Sequence, residues 1–177
     1  STPIMENLAL YSEKMNIVVE QAEDEIAAIN MAIGVSFTGA RAMTGTSGGG
    51  FSLMAEALGL AGMAEIPLVI VNAQRPGPAT GFPTRTEQSD LKFVISAAQG
   101  EFPRMVIALR NHRDAFYQTE RAFHIADEYQ LPVIILSDQY LSDSTATVDP
   151  FYIDAPPASV PIEENGGDYR RYKFTEN

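Results

Sequence analysis

The sequence predicts an α/β domain with an open, mostly parallel sheet and helices on both faces. Two observations support this prediction. Stretches of continuous Val, Ile and Leu, such as PLVIV and PVIIL, have the composition of strands that are buried on both faces. They alternate with longer segments of helical period, as in folds built from strand–helix–strand units. In open sheets of this kind, ligands bind at the carboxyl ends of the strands.

Periodicity and composition place the elements in order. A helix at 4–13 precedes a short β-branched strand, Asn16–Glu20, and a second helix continues to about Thr38. The later elements are a strand near Ala40–Thr46, a helix from Gly50 to Glu65, a strand Ile66–Ala73, a helix near Thr86–Ala97, a strand Pro103–Leu109, a helix from Asn111 to Tyr129 and a strand Leu131–Ser137.

The domain organisation follows from a change in composition near residue 142. Residues 1–142 carry all the predicted elements, and we expect them to form one domain. Residues 143–177 contain four prolines and the pair Gly166-Gly167, so they are predicted to be an extended tail or a linker to a further domain.

Composition and charge exclude several classes of function. A net charge of −11 over 177 residues argues against a surface for nucleic acid or anionic membranes. The absence of cysteine means that the chain forms no disulfide and supplies no thiolate to an iron–sulfur cluster. No apolar run reaches the length of a membrane span, and the first residues do not resemble a signal peptide. We therefore expect a cytoplasmic protein.

The glycine-rich segment after the second strand invites an enzymatic interpretation. Gly45-Thr46-Ser47-Gly48-Gly49 matches G-x-S-x-G, the nucleophile elbow of α/β-hydrolases, at a predicted strand–helix turn. Such a hydrolase needs Asp and then His after the serine, but His112 and His124 both precede the suitably placed Asp138. A serine hydrolase is therefore an alternative rather than the preferred function. No Lys-Ser/Thr follows the glycines, so the Walker phosphate loop is absent.

A cluster of carboxylates begins the second helix, EQAEDEIAAINMAIG. At about 100° per residue, Glu25 lies on the same stripe as Ile29 and Ala32, whereas Glu23 lies nearly opposite. A carboxylate on an apolar stripe is costly unless it has a partner, and such groups often have a chemical role. The bland alternative is that Glu25 only complements the helix dipole.

The long segment RPGPATGFPTRTEQSDL connects the third strand to the next helix. Loops of this length without secondary structure are usually functional or disordered. Arg75 follows directly on a buried strand, at the edge where α/β folds bind ligands, so an anion contact is predicted there.

These segments together resemble the thiamine-diphosphate pyrimidine-binding domain of 2-oxoacid:ferredoxin oxidoreductases. The runs that carry the resemblance are TSGGGFSLMAEALGLAG and PTRTEQSDL, and similarity continues through GEFPRMVIAL and LPVIILSDQYLSD. It covers about residues 1–143 and is greatest for the α subunit of the 2-oxoglutarate or broad 2-oxoacid type. The resemblance implies the thiamine-diphosphate-binding fold and oxidative cleavage of a 2-oxoacid with coenzyme A, giving acyl-CoA, carbon dioxide and reduced ferredoxin.

The resemblance also implies roles for individual residues. In thiamine enzymes a glutamate hydrogen-bonds N1′ of the aminopyrimidine and favours the imino tautomer that deprotonates C2 of the thiazolium; Glu25 matches it. Arg75 occupies the place of an arginine that binds the substrate carboxylate, and Thr84 and Arg85 are weaker candidates for the distal end of the substrate. The residues expected to contact the pyrimidine end of the cofactor are Glu25, Ser47, Gly48, Gly49 and Phe51.

The remaining parts of such an enzyme are expected on other domains. The resemblance places the diphosphate and magnesium sites on a β subunit and the [4Fe-4S] clusters on partner subunits or other domains; no metal site is expected here. Ferredoxin is the expected electron acceptor. Relatives normally have a strand just before STPIMENLA, so the domain is expected to lack its first strand. A second alternative is a non-catalytic assembly subunit.

Overall fold

A computed structural model describes residues 2–152, 170–172 and 174, and its centre is a four-stranded parallel sheet. The strands are β1 (Met43–Ser47), β2 (Leu68–Gln74), β3 (Met105–Ala108) and β4 (Pro132–Asp138), in the spatial order β1-β2-β4-β3. The helices are α1 (Thr2–Met15), α2 (Glu25–Phe37), α3 (Gly50–Leu53), α4 (Ala55–Met63), α5 (Leu91–Ser96), α6 (His112–Tyr129) and α7 (Gln139–Asp143).

Apolar side chains cover both faces of the central strands β2 and β4, whose residues are all buried. Alternate residues of β2 belong to different clusters, because neighbouring side chains on a strand point to opposite faces. Leu68 and Ile70 pack with α2, α3, α4 and α5, whereas Val69 and Val71 pack with α6. The predicted fold class, an open parallel sheet between two layers of helices, is confirmed.

The predicted strand Asn16–Glu20 is wrong. Asn16 is left-handed, residues 17–22 have no regular structure, and Val18 is almost fully exposed. A strand persists only where a neighbour pairs with its backbone groups. Within the described residues β1 pairs only with β2, so this β-branched segment has no strand beside it.

Two helix boundaries also differ from the prediction. The predicted helix Gly50–Glu65 is interrupted at Met54, whose N–H bonds Phe51 O three residues back, so that α3 and α4 are separate. The predicted helix Thr86–Ala97 begins only at Leu91, because the Asp90 N–H bonds a side chain of β2 instead of continuing a helix. Helix α6 begins as predicted, with Asn111 accepting from the Asp114 N–H at 2.9 Å.

Several described residues of the predicted tail contact the domain. His112 Nε2 donates to Ser144 O at 3.0 Å, and the Phe151 ring stacks on Phe116 with centroids 4.3 Å apart. At the opposite end of the sheet, Arg171 pairs with Glu65 at 3.1 Å. Residues 153–169, 173 and 175–177 lie outside the described part of the chain, so the tail assignment over them stays a prediction. No helix in the described segments is long and apolar enough to cross a membrane.

Candidate active site

Glu25 is the first residue of α2, at the edge of the sheet where β1 ends. The preceding residue, Asp24, caps the helix by accepting from the Ala27 N–H at 2.7 Å. This cap fixes the start of α2, so that Glu25 faces the sheet and is half-buried, while Glu23 remains exposed. Thr46 Oγ1, at the end of β1, donates to Glu25 Oε1 at 3.2 Å. The carboxylate is therefore held by a neutral hydroxyl.

Gly50 allows the carboxylate to lie where it does. A Cβ at Gly50 would be 2.8 Å from Glu25 Cδ and would overlap both Glu25 Oε1 and Thr46 Oγ1. Ordinary Cβ contacts are never this close, so a side chain here would displace the pair. Glycine is required for the close approach of α3 to the carboxylate, not for an unusual backbone angle.

Two residues before Gly50, Gly48 makes room for the side chain of Arg75 in the same turn. Gly48 has a left-handed φ of 55°, and its N–H donates to Ala73 O at 3.2 Å. A Cβ there would come 2.5 Å from Arg75 Cγ and 2.8 Å from its Nε. Arg75 Nε is buried, and within the described residues it has no hydrogen-bond partner. A buried donor without a partner is costly, so a ligand acceptor would be stabilised there.

The other predicted site residues lie at the turn after β1, behind that turn, or on the loop after β2. Ser47 ends β1 opposite Ala73, and Gly49 precedes α3, where a Cβ would lie 3.0 Å from Ala79 O. Phe51 is fully buried and packs edge-on against Phe93, with centroids 5.6 Å apart, so its ring supports the turn from behind. Thr84 and Arg85 are exposed on the loop after β2. The structure thus brings Glu25, Gly48 and Arg75 to one turn and leaves Thr84 and Arg85 on a separate segment.

Two contributors to this site were missed by sequence reasoning: Thr46 and Gly50. Their signal is present in the segment TGTSGGG. Thr46 lies on the same face of β1 as the buried Thr44, which the alternation of a strand predicts. Three consecutive glycines at the start of a helix are unfavourable for the helix itself, which indicates close approach by another group.

The geometry disfavours the nucleophile elbow. In that motif the serine lies on a strained turn, but Ser47 is a regular strand residue without a positive φ. Both histidines of α6 have partners elsewhere: His112 bonds Ser144 after α7, and His124 pairs with Glu120 one turn earlier at 3.8 Å.

A second charged cluster, at the start of α6, is structural. The carboxylate of Asp114 is buried and accepts from the Arg110 N–H at 3.0 Å and from its guanidinium at 3.0 Å. These bonds favour the ionised form and hold the pKa of Asp114 below its usual value. Among residues 2–152, 170–172 and 174, no set of three or more His, Cys, Asp or Glu side chains is arranged to hold a metal ion.

The fold and the site define a class: an open α/β domain that presents a half-buried carboxylate and an arginine at the carboxyl ends of its strands. Comparison with known proteins gives the family. Residues 1–174 match the family described as pyruvate flavodoxin/ferredoxin oxidoreductase, thiamine diphosphate-binding. The chain belongs to this family.

Relatives agree with this assignment. The chain is 51% identical to the α subunit of a 2-oxoacid:ferredoxin oxidoreductase from Sulfurisphaera tokodaii over 93% of its length, and 43% identical to the 2-oxoglutarate synthase subunit KorA from Archaeoglobus fulgidus over 84%. This chain covers 27% of the length of the Sulfurisphaera relative and 43% of the length of the Archaeoglobus relative.

A solved structure is similar as well. It is a 2-oxoglutarate:ferredoxin oxidoreductase from Magnetococcus marinus with 2-oxoglutarate, coenzyme A and succinyl-CoA bound. The match has a TM-score of 0.77 and 43% identity, and it covers 79% of this chain and 24% of the solved one. This chain therefore spans about a quarter of the length of the matched solved chain and of the Sulfurisphaera relative.

The side chains present suit the pyrimidine end of thiamine diphosphate. A half-buried carboxylate can accept a hydrogen bond from a protonated ring nitrogen, and the hydroxyl of Thr46 leaves its second oxygen available for that bond. Thr46 Oγ1 and Glu25 Oε1 occupy the position that a side chain at residue 50 would take, so glycine there lets the carboxylate stand at this turn.

Proposed function

We propose that this chain is the pyrimidine-binding domain of the catalytic α subunit of a 2-oxoacid:ferredoxin oxidoreductase. The enzyme would cleave a 2-oxoacid oxidatively with coenzyme A, giving acyl-CoA, carbon dioxide and reduced ferredoxin. Family membership and the relatives' names support this reaction class. The observation that carries the proposal on this chain is the Glu25 carboxylate, held by Thr46 at a turn that excludes side chains.

Each residue has a distinct task in this proposal. Bound thiamine diphosphate supplies the carbon nucleophile and the electron sink for decarboxylation. Glu25 accepts a hydrogen bond at the ring nitrogen N1′ and exchanges a proton there, as a positioned carboxylate can. Thr46 orients that carboxylate through its own hydroxyl. Arg75, whose buried Nε has no partner in the part of the chain that the structure describes, binds the carboxylate of the 2-oxoacid with its guanidinium fork.

The proposal also includes a partner beside Glu25. Helix α2 is apolar around most of its circumference, and its outward residues Ile26, Met31, Val35 and Phe37 are between 47% and 79% exposed. A helix that is hydrophobic all round is normally covered by another layer of protein. We assign this cover to a β subunit that carries the diphosphate and magnesium site. Iron–sulfur clusters and ferredoxin docking would lie on partner subunits or other domains.

Turnover by the co-purified complex tests this function. With thiamine diphosphate, magnesium and coenzyme A present, we expect reduction of ferredoxin by at least one member of a panel of 2-oxoacids. We expect no reduction when coenzyme A is omitted or when the isolated 177-residue chain replaces the complex. Failure with every 2-oxoacid, together with ester hydrolysis that Ser47→Ala abolishes, would instead support the serine-hydrolase alternative. A complex that assembles without either activity would support a non-catalytic assembly role.

Arg75→Lys in the assembled enzyme should raise the KM for 2-oxoacids roughly tenfold or more. Lysine keeps the charge but replaces a bidentate fork by a point charge, and a hydrogen bond between charged groups contributes about 1.5–3 kcal/mol. Steady-state kinetics with several 2-oxoacids measures this change, and thiamine binding should be unaltered.

Arg85→Lys is the matched control for that substitution. Because Arg85 is proposed to meet only the distal end of the substrate, its variant should affect 2-oxoacids that carry a second carboxylate and spare those that do not. Unchanged KM values for every substrate in Arg75→Lys would show that another group anchors the 2-oxoacid.

A further inference from the structure

Three buried polar side chains lie side by side on the two central strands. Asn72 and Gln74 of β2 and Asp138 of β4 are 0%, 6% and 7% exposed. They share one face of the sheet, because Asn72 and Gln74 continue the alternation of Leu68 and Ile70, and Asp138 is the register partner of Gln74. We call these three residues the β2–β4 clamp.

The clamp holds the far end of the loop that begins at Arg75. Gln74 Oε1 accepts from the Asp90 N–H at 3.0 Å, and Asn72 Nδ2 donates to Asp90 Oδ2 at 3.1 Å. Asp138 Oδ2 accepts from Gln88 Nε2 at 2.5 Å. Residue 74 directly precedes the loop, and residue 90 is its last residue before α5. The bond between Gln74 and Asp90 therefore closes the loop at its base.

Gln74 and Asp138 each use both polar atoms of their side chains in hydrogen bonds. In the described part of the chain, Asn72 uses only its amide nitrogen. Gln74 Nε2 donates to Ser137 O at 3.2 Å, so the amide bridges β4 and the loop. Asp138 Oδ1 caps α7 through the Leu141 N–H at 2.7 Å. Asn72 Oδ1 is buried without a partner among the described residues, so the bond from Asn72 Nδ2 to Asp90 offsets part of the cost of burying this side chain. Buried polar groups are costly unless they are bonded, so withdrawal of residues 88–90 would leave these groups unsatisfied.

The loop is also braced internally between the clamp and its tip. Gly81 is left-handed, and the Phe82 N–H donates to Pro76 O at 3.2 Å. Phe82 O in turn accepts from the Arg85 N–H at 3.1 Å. The backbone of Arg85 is thus tied to the start of the loop, and it is only three residues from Gln88. A span of three residues reaches at most about 11 Å, so a displacement of Gln88 beyond that reach would have to move Arg85 as well.

We propose that the β2–β4 clamp is a positioning device that sets where Thr84 and Arg85 stand relative to Arg75, and hence how the enzyme binds the distal part of its 2-oxoacid. The inference rests on the proposed function. The clamp residues need not touch the substrate. They act through the loop, since the clamp binds residues 88–90 while the side chains of Thr84 and Arg85 remain exposed for contact.

Gln88→Glu tests the clamp in the assembled complex. Gln88 is exposed, so the change should not disturb the core, but it places a second carboxylate against Asp138 and removes the hydrogen bond. With the 2-oxoacid that the wild type turns over fastest among those carrying a second carboxylate, we expect KM to rise roughly tenfold, because small misplacements of binding groups are costly. We expect kcat to change less than threefold.

Two further variants make the test decisive. In the double variant Gln88→Glu, Asp138→Asn the amide can donate to the new glutamate, which restores the bond with reversed polarity, and KM should return to within about twofold of wild type. Glu87→Gln alters the exposed neighbour and should leave KM unchanged.

The outcomes distinguish the clamp from the function on which it rests. If the wild-type complex oxidises a 2-oxoacid but Gln88→Glu keeps its KM, or if the double variant does not rescue KM, the clamp proposal is wrong. A loss of kcat with unchanged KM, or a lowered unfolding temperature in place of a KM effect, would indicate a merely structural role and overturn it equally. A wild-type complex without activity on any 2-oxoacid overturns the proposed function itself.

Discussion

Glu25→Gln should reduce turnover of the assembled enzyme by roughly 10²–10⁴, the usual effect of removing a positioned proton-transfer group. Glutamine has nearly the same size, so it can still accept from Thr46 and still contact N1′. What it lacks is the exchange between carboxylate and carboxylic acid, and this exchange is the proposed task of Glu25. The fold should persist, because the substitution neutralises a half-buried charge without creating a cavity.

Glu23→Gln is the control for this result. Glu23 lies two residues earlier and is exposed, so its loss should cost only a few tenths of a kcal/mol through the helix dipole. Hydrogen exchange at C2 of bound thiamine, measured in both variants, reports directly on the proton transfer. Exchange abolished by Glu23→Gln but intact in Glu25→Gln would transfer the catalytic role to Glu23.

Gly50→Ala should lower turnover by about 10²-fold, with a loss of stability of about 1–3 kcal/mol. The added methyl group would lie 2.8 Å from Glu25 Cδ and overlap Thr46 Oγ1, so either the carboxylate or the start of α3 must move. A misplacement of about 1 Å in a catalytic group costs on this order, and overpacking a tight site has this energetic range. Steady-state kinetics and thermal unfolding of the complex measure the two effects.

Gly34→Ala is the matched control, because Gly34 is also a helical glycine and lies in the same helix as Glu25. A Cβ there would meet no atom of the described residues within 4 Å. Replacing glycine by alanine inside a helix should then stabilise the isolated chain by about 0.5–1 kcal/mol. If Gly50→Ala behaves like Gly34→Ala, the Glu25 carboxylate does not depend on the close approach of α3.

The sequence predicted best those features that depend on a single helix or strand. The apolar runs of β2 and β4 predicted a buried parallel sheet, and the period of α2 distinguished Glu25 from Glu23 because the turn angle of a helix is constant. Strand propensity failed at Asn16–Glu20, since a strand also needs a neighbour and β-branched composition says nothing about one.

Contacts between distant segments could not be predicted. Helix α5 begins five residues later than expected because Gln74 binds the N–H of Asp90, a partner 16 residues away. Likewise, the importance of Gly50 depends on a carboxylate 25 residues earlier that reaches it only when α2 packs beside β1. Helix α7 was missed because it has only five residues and depends on its cap, Asp138.

The strand order has a consequence for synthesis of the protein. Strand β2 lies between β1, which is made before it, and β4, which is made only after residues 75–131. At about 5–20 residues per second, the ribosome needs roughly 3–11 s to cover that interval. Throughout it, the apolar residues Leu68–Val71 leave one backbone edge unpaired on the nascent chain. The apolar edge of β2 is therefore expected to stay unpaired until β4 has left the ribosome.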